Sequence, residues 1–188
     1  MGNNKSVWFL FIYLFVCLFV CLFIFTGVTA SHKLAECDLK RMNEYKHLIV
    51  EVAQYCEMDP AVICGIISRE SRAGATLDNG WGDHGNAFGL MQASAHRRYC
   101  DMGPDPVGAW DSKEHIRQAT DILVYFINAI KKKFPRWPKE HHFKGGIAAY
   151  NAGDGSVNSY EGVDARTTGG DYSNDVVARA QWFRTKGF

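Results

Sequence analysis

The sequence has no excess of charge of either sign. Its 188 residues include 21 Lys and Arg against 20 Asp and Glu, a formal net charge of +1. Lys5 is the only charged residue among the first 30, so the rest of the chain is formally neutral. Proteins that bind nucleic acid or anionic membranes present clustered Lys and Arg residues. The charge balance therefore argues against both kinds of partner.

The chain also lacks internal repeats, low-complexity tracts and a linker between domains. Hydrophobic residues make up 47% of it and charged residues 22%, which is typical of a globular protein and excludes a disordered or collagen-like chain. Without its first 30 residues, the chain keeps about 158 residues, enough for one domain with its own core.

Motifs of the common metal, serine-hydrolase and phosphate sites are absent too. There is no HExxH or CxxC spacing, no GxSxG element and no phosphate-binding glycine loop followed by Lys. The adjacent His141 and His142 point in different directions and predict no metal site. The three lysines at 131–133 are best explained as a solvated helix end. We expect neither a metal nor another cofactor.

One long hydrophobic run stands near the N-terminus. Residues 7–25 read VWFLFIYLFVCLFVCLFIF, preceded by Lys5 and followed by small residues up to Ala30. This pattern predicts a signal peptide over residues 1–30, cleaved after Ala30, and a domain over residues 31–188. The run is also long enough to cross a bilayer, so an uncleaved anchor is the alternative. In both cases the domain lies outside the cytoplasm, either secreted or in the lumen of an acidic compartment.

Four cysteines remain after the leader, and four cysteines allow three disulfide pairings. They are Cys37, Cys56, Cys64 and Cys100. If residues 34–55 form one helix, Cys37 and Cys56 lie roughly 28 Å apart, too far for a disulfide. Cys64 sits in an apolar stretch and can equally be a small buried side chain. Secretion favours disulfides without fixing which cysteines pair.

Hydrophobic periodicity predicts a mainly helical fold. Residues 34–55 form one apolar helical pattern. Asp59 and Pro60 provide the cap and first position of a second helix, and Asp111 with Glu114 resembles the capping box of a long helix that Pro135 ends. Two more helices are predicted over 144–152 and 171–186. Seven of the 18 glycines fall within 74–108, which predicts a loop or short-hairpin lobe inserted after the second helix.

Glu70 is the first candidate for chemistry, because it ends the apolar run of the second helix. Charged side chains rarely enter a buried face without a partner. Burial would raise its pKa, which a general acid working near neutral pH requires. The alternative is a surface ion pair with Arg69 or Arg72.

The glycine-rich segment 79–92, NGWGDHGNAFGLMQ, is the second candidate. Its tight turns can bring backbone and side chains close to a ligand. Trp81 and Phe88 offer flat faces on which sugar rings can pack. The alternatives are an Asx-turn role for Asp83 and a small satellite core for the two aromatic residues.

The segment 145–153, GGIAAYNAG, is the third candidate. Its small residues allow close helix packing, and Tyr150 and Asn151 supply hydrogen-bonding groups at its end. Close helix packing with a C-terminal glycine is the equally good alternative.

Four separated motifs in this order make the chain resemble goose-type lysozymes from residue 34 to the end. The motifs are GIISRESRAG, NGWGDHGNAFGLMQ, KGGIAAYNAG and DYSNDVVARAQWF. The resemblance implies a mainly α (α+β, lysozyme-like) fold with a cleft between two lobes. It also implies a monomeric, bacteriolytic enzyme that cleaves the β-1,4 bond between N-acetylmuramic acid and N-acetylglucosamine in peptidoglycan, with inversion. No nucleic acid is expected as a partner, and a membrane only if the leader stays uncleaved.

The resemblance also implies roles for individual residues. Glu70 matches the family's general acid, and Asp83 matches the first of two aspartates that position and activate water. Gln92, Tyr150 and Asn151 match substrate-cleft positions, to which Trp81 and Phe88 are added as sugar platforms.

The position of the family's second aspartate is Ser94 in this chain. Serine can orient water but cannot accept its proton at ordinary pH. Asp83 must then act alone as the base, or Asp101 from the following long loop must take part. Two alternatives stay open: a lytic transglycosylase, which needs no second carboxylate, and a weakly active protein that only binds peptidoglycan.

Overall fold

The computed structural model describes residues 27–94 and 105–188, and the predicted mainly helical architecture is confirmed. The helices of this part of the chain are α1 Val28–Glu44, α2 Lys46–Tyr55, α3 Pro60–Ser71, α4 Lys113–Lys133, α5 Lys139–Ala152 and α6 Tyr172–Arg184. The strands are β1 Trp81–Gly82, β2 Ala87–Phe88 and β3 Ala93–Ser94. The hydrophobic run of residues 7–25 lies outside the described residues.

Helix α3 lies in the core because its sequence is almost wholly apolar. As predicted, Asp59 caps it by accepting a hydrogen bond from the Ala61 amide at 2.9 Å, and Pro60 is its first residue. Nine of its twelve residues are buried. Gly65 lets α6 approach closely, since a Cβ at this position would stand 2.7 Å from the Val176 carbonyl oxygen.

Two predictions about helix starts and breaks are wrong. The single helix expected over 34–55 is interrupted at Tyr45, which separates α1 from α2. The apolar pattern continues across this break, so periodicity could not detect it. Helix α4 is capped by Ser112, which accepts from the His115 amide at 3.3 Å, rather than by Asp111.

The remaining helix boundaries differ by a few residues from those predicted. Helix α5 begins at Lys139, five residues before the predicted start, and α6 spans Tyr172–Arg184 rather than 171–186. Helix α4 ends at Lys133, two residues before Pro135, as predicted.

The glycine-rich segment forms the predicted hairpin lobe. Strands β1, β2 and β3 make an antiparallel sheet in which Trp81 pairs with Phe88, and Ala87 pairs with Ser94. Each strand has two residues. Tight turns therefore dominate this lobe. Residues 95–104 of the predicted loop, with Cys100 and Asp101, lie outside the described residues.

The cysteines depart from the expectation of disulfides. Cys37, Cys56 and Cys64 are free, so no disulfide joins the cysteines that the structure describes. The Cys56 thiol lies 3.4 Å from Oδ1 of Asp121, and Cys64 is fully buried in the core. Within 27–94 and 105–188, no helix is long and apolar enough to cross a membrane.

Candidate active site

Glu70 lies in the last turn of α3, where the apolar face of the helix ends. Its Oε1 atom accepts a hydrogen bond of 2.5 Å from the hydroxyl of Tyr172, the first residue of α6. The Tyr172 side chain is buried, and Glu70 is partly buried. The close packing of α3 against α6 therefore brings the Tyr172 hydroxyl into hydrogen-bond contact with the Glu70 carboxyl.

Burial raises the pKa of the Glu70 carboxyl to about 7. The Tyr172 hydroxyl and the positive charge of Arg69 act in the opposite direction, because both stabilise the ionised form. The negative charge of Asp83 supports the upward shift. The predicted rise is confirmed, and a carboxyl with this pKa can hold a proton near neutral pH.

The alternative of a surface ion pair for Glu70 is wrong, because both candidate arginines are engaged elsewhere. Arg69 contacts Asp175 at 2.6 Å and Asp171 at 3.1 Å. Arg72 donates to Asp38 at 2.8 Å.

Two hydrogen bonds attach the hairpin lobe beside Glu70. Ser71, the residue after the acid, donates from Oγ to the carbonyl of Leu90 at 2.7 Å. The Tyr150 hydroxyl donates to the carbonyl of Met91 at 2.9 Å. Helices α3 and α5 thus hold the segment that leads into Gln92.

Asp83 lies at the tip of this lobe, in a 3-10 turn over Asp83–Gly85. Asp83 and His84 have φ values of 45° and 55°, in the left-handed region that non-glycine residues rarely adopt. The Asn86 side chain donates to the backbone carbonyl of Asp83 at 2.9 Å. Within the described residues the carboxylate of Asp83 accepts no hydrogen bond, so the Asx-turn alternative is not observed. The exposed carboxylate is able to bind water.

Trp81 and Phe88 form an aromatic pair across β1 and β2. Their ring centroids are 4.8 Å apart, and Phe88 also meets His115 edge-on at 5.1 Å. Trp81 is 39% exposed, whereas Phe88 is partly buried. Phe88 therefore packs in the lobe while it stays partly exposed, and Trp81 is the more exposed of the two rings.

Gln92 is positioned by the backbone of the same lobe. It has φ 48°, and its side-chain amide donates to the Gly89 carbonyl at 2.8 Å. A Cβ on Gly82 would stand 2.0 Å from Oε1 of Gln92, so glycine at 82 makes room for this side chain. Ser94 lies in β3, opposite Ala87.

Asn151 lies in the last turn of α5. Its Oδ1 atom accepts a hydrogen bond of 2.9 Å from the Thr168 amide, in the turn before α6. Tyr150, beside it, is 7% exposed. Substrate binding by these two residues, and by Trp81, Phe88 and Gln92, stays a prediction.

The sequence did not predict Tyr172 as a partner of Glu70. The two residues are 102 positions apart, and no spacing rule connects them. The motif DYSNDVVARAQWF was the available signal, since its tyrosine opens α6. Within the described residues there is no group of three His, Cys, Asp or Glu side chains that could hold a metal ion.

Comparisons with known proteins decide the family. A sequence model described as Lysozyme g matches residues 22–187. Lysozyme g of Takifugu rubripes is 59% identical over 159 residues, which cover 85% of this chain and 84% of that protein. Lysozyme g of Struthio camelus is 56% identical over 164 residues, which cover 87% of this chain and 78% of that protein. The chain belongs to the lysozyme g family.

Other members of the lysozyme g family match over the same region. Lysozyme g of Gallus gallus is 53% identical over 164 residues, which cover 87% of this chain and 75% of that protein. The resemblance predicted from four motifs is confirmed, as is the prediction that the chain is an enzyme of this type.

Proposed function

We propose that the protein is a secreted lysozyme that hydrolyses the β-1,4 bond between N-acetylmuramic acid and N-acetylglucosamine in bacterial peptidoglycan, with inversion at the anomeric carbon. The observation that supports this most strongly is the Glu70 carboxyl, which has a pKa of about 7 and lies beside the Tyr172 hydroxyl. Membership of the lysozyme g family gives the substrate class.

Glu70 acts as the general acid. Its carboxyl proton passes to the glycosidic oxygen while the bond from that oxygen to C1 of N-acetylmuramic acid breaks. The leaving sugar departs as an alcohol, and Glu70 is left as a carboxylate. Tyr172 stabilises this carboxylate by donating its hydrogen bond.

Asp83 acts as the base on the opposite face of the sugar. Water attacks C1 and gives its proton to the Asp83 carboxylate, so the configuration at C1 inverts. Inverting enzymes separate acid and base by about 6.5–9.5 Å to leave room for the water. Ser94 orients the water but takes no proton.

Trp81, Phe88, Gln92, Tyr150 and Asn151 line the path of the glycan in this proposal. Trp81 supplies a flat apolar face for a sugar ring, and the side chains of Gln92 and Asn151 supply hydrogen-bonding groups. The leader over residues 1–30 directs secretion, and residues 31–188 act as a monomeric catalytic domain.

A lytic transglycosylase is the second candidate, because Ser94 removes one of the two expected carboxylates. In that reaction the 6-hydroxyl of N-acetylmuramic acid attacks C1 in place of water, and the product carries a 1,6-anhydro ring. Glu70 first protonates the leaving oxygen and then, as a carboxylate, takes the proton of the 6-hydroxyl, so this reaction needs no separate base.

Product analysis separates the two reactions. The purified protein is incubated with peptidoglycan in water enriched in heavy oxygen, and the fragments are analysed by mass spectrometry. Hydrolysis adds one labelled oxygen to each new reducing end, and proton NMR of the first product should show the α-anomer. Unlabelled fragments lighter by one water would identify a transglycosylase, and absence of cleavage would leave only peptidoglycan binding.

A further inference from the structure

Three carboxylates and three guanidinium groups alternate in one continuous chain beneath the candidate active site. We call these six residues the ionic chain. In order along it they are Asp171, Arg69, Asp175, Arg179, Asp38 and Arg72. The successive N–O distances are 3.1, 2.6, 3.0, 3.8 and 2.8 Å.

The ionic chain crosses from α1 through α3 to α6. Asp38, Asp175 and Arg179 are buried, whereas Asp171 at one end is exposed. Replacing a buried ion pair by apolar residues is often neutral or stabilising. Stability of the core is therefore a weak explanation for six charged residues at this place.

The position of Glu70 suggests a better explanation. Arg69 precedes Glu70 in sequence and Arg72 follows it by two residues, yet the ionic chain binds both guanidinium groups. The hydrogen bond to the Glu70 carboxyl comes from Tyr172 instead. Arg69 also donates to the Thr168 carbonyl at 2.9 Å and lies 5.6 Å from the centre of the Tyr172 ring.

We propose that the ionic chain is a positioning device for Glu70: it holds Arg69 and Arg72 away from the acid and fixes the start of α6, so that Tyr172 is the one side chain of the described residues that donates a hydrogen bond to the carboxyl. This inference rests on the proposed function of Glu70. In the device Arg69 and Asp171 are positioning residues, and neither takes part in proton transfer.

Among the described residues, the charged and titratable groups that act on Glu70 come from three sides. Arg69 lies on α3, Asp83 in the hairpin lobe and Tyr172 on α6. Loss of the Asp171 carboxylate would release one of the contacts that hold Arg69. Arg69 could then turn towards Glu70 and stabilise its ionised form, which lowers the pKa of Glu70.

Asp171→Asn is the test variant, because Asp171 is exposed and its loss leaves the core intact. Arg69→Gln and the double variant complete a cycle that isolates the contribution of Arg69. Glu51→Gln, which removes a carboxylate from the exposed pair with Lys113, is the matched control. The titration midpoint of Glu70 is read by carbon-13 NMR of labelled glutamate carboxyls in the full protein, assigned with Glu70→Gln, after thermal melts have shown which variants fold.

The midpoint of Glu70 should fall by about one pH unit in Asp171→Asn, as expected when a cation comes into contact. The same substitution should change the midpoint little in the Arg69→Gln background, and Glu51→Gln should keep the wild-type midpoint.

An unchanged midpoint in Asp171→Asn overturns the proposal, even if Arg69→Gln does not fold. An equal fall of the Glu70 midpoint with and without Arg69 also overturns the proposal. The Asp171 carboxylate would then act on Glu70 only through its own negative charge. The NMR midpoint needs no activity, so loss of the proposed function would be seen separately, as wild-type protein that releases no reducing ends.

Discussion

In the proposed mechanism, the pKa of Glu70 sets the pH range in which the site can work. The carboxyl must carry a proton to act as an acid, and burial gives it a pKa of about 7. We expect kcat/KM for peptidoglycan cleavage to fall about tenfold per pH unit above this value. Reducing-end release measured from pH 5 to 9 checks this. A rate that stays constant to pH 9 would show that another group supplies the proton.

The same raised pKa lowers the stability of the folded protein at high pH. Folded Glu70 keeps its proton up to about pH 7, whereas the unfolded chain releases it near its ordinary value of 4.5. The folded state binds more protons in this window, so the free energy of unfolding falls as pH rises through it. The shift corresponds to a loss of at most about 3 kcal/mol.

Glu70→Gln removes this penalty and keeps an acceptor for Tyr172. The variant should therefore resist urea better than the wild type at pH 8, and the difference should shrink towards pH 4. Unfolding curves at these two pH values provide the measurement. If Glu70→Gln is less stable than the wild type at pH 8, the ionised Glu70 carboxylate does not destabilise the folded state.

In the proposed mechanism, Asp83 activates the attacking water and Ser94 orients it. If Asp83 is the main base, Asp83→Asn should reduce turnover by about 10²–10⁴-fold, as expected for loss of general base catalysis. Ser94→Asp should raise turnover, because it adds a proton acceptor near the water. Reducing-end release by both variants and by Asp101→Asn is the measurement. A harmless Asp83→Asn together with a crippling Asp101→Asn would assign the base to the long loop instead.

At the scale of helices and strands, the site depends on the crossing of α3 and α6. Gly65→Ala would place a Cβ against backbone atoms, 2.7 Å from the Val176 oxygen and 3.2 Å from the Ala180 nitrogen. The helices must separate, at a cost of about 1–3 kcal/mol. Glu70 and Tyr172 would separate with them, so activity should fall as well.

Gly155→Ala is the control for this substitution, because a Cβ there meets nothing within 4 Å. Thermal melts and activity of the two variants should differ clearly. Equal behaviour would mean that α3 and α6 can adjust without cost.

Local sequence signals predicted which segments form helices better than they predicted where each helix begins and ends. Asp59 and Pro60 fixed the start of α3, because capping involves neighbouring residues only. The break at Tyr45 escaped prediction, since apolar residues continue on both sides of it. The contact between Glu70 and Tyr172 also escaped, because it depends on how two helices cross and not on either sequence segment.

Over the molecule as a whole, the sequence predicted the raised pKa of Glu70 but not the ionic chain beside it. Glu70 was found because an acid at the end of an apolar helix is unusual. The ionic chain was not, because Asp38, Arg69 and Arg179 are far apart in sequence and look like ordinary surface charges. A balanced net charge conceals how the opposite charges are arranged.

In the proposed mechanism, Glu70 supplies the proton that breaks the glycosidic bond. The most direct test compares reducing-end release from peptidoglycan by the wild type, Glu70→Gln and the control Glu51→Gln at pH 6. We expect the rate of Glu70→Gln to fall by about 10²–10⁴-fold or more, and the rate of Glu51→Gln to stay at the wild-type value. Release at the wild-type rate by a folded Glu70→Gln variant would contradict it.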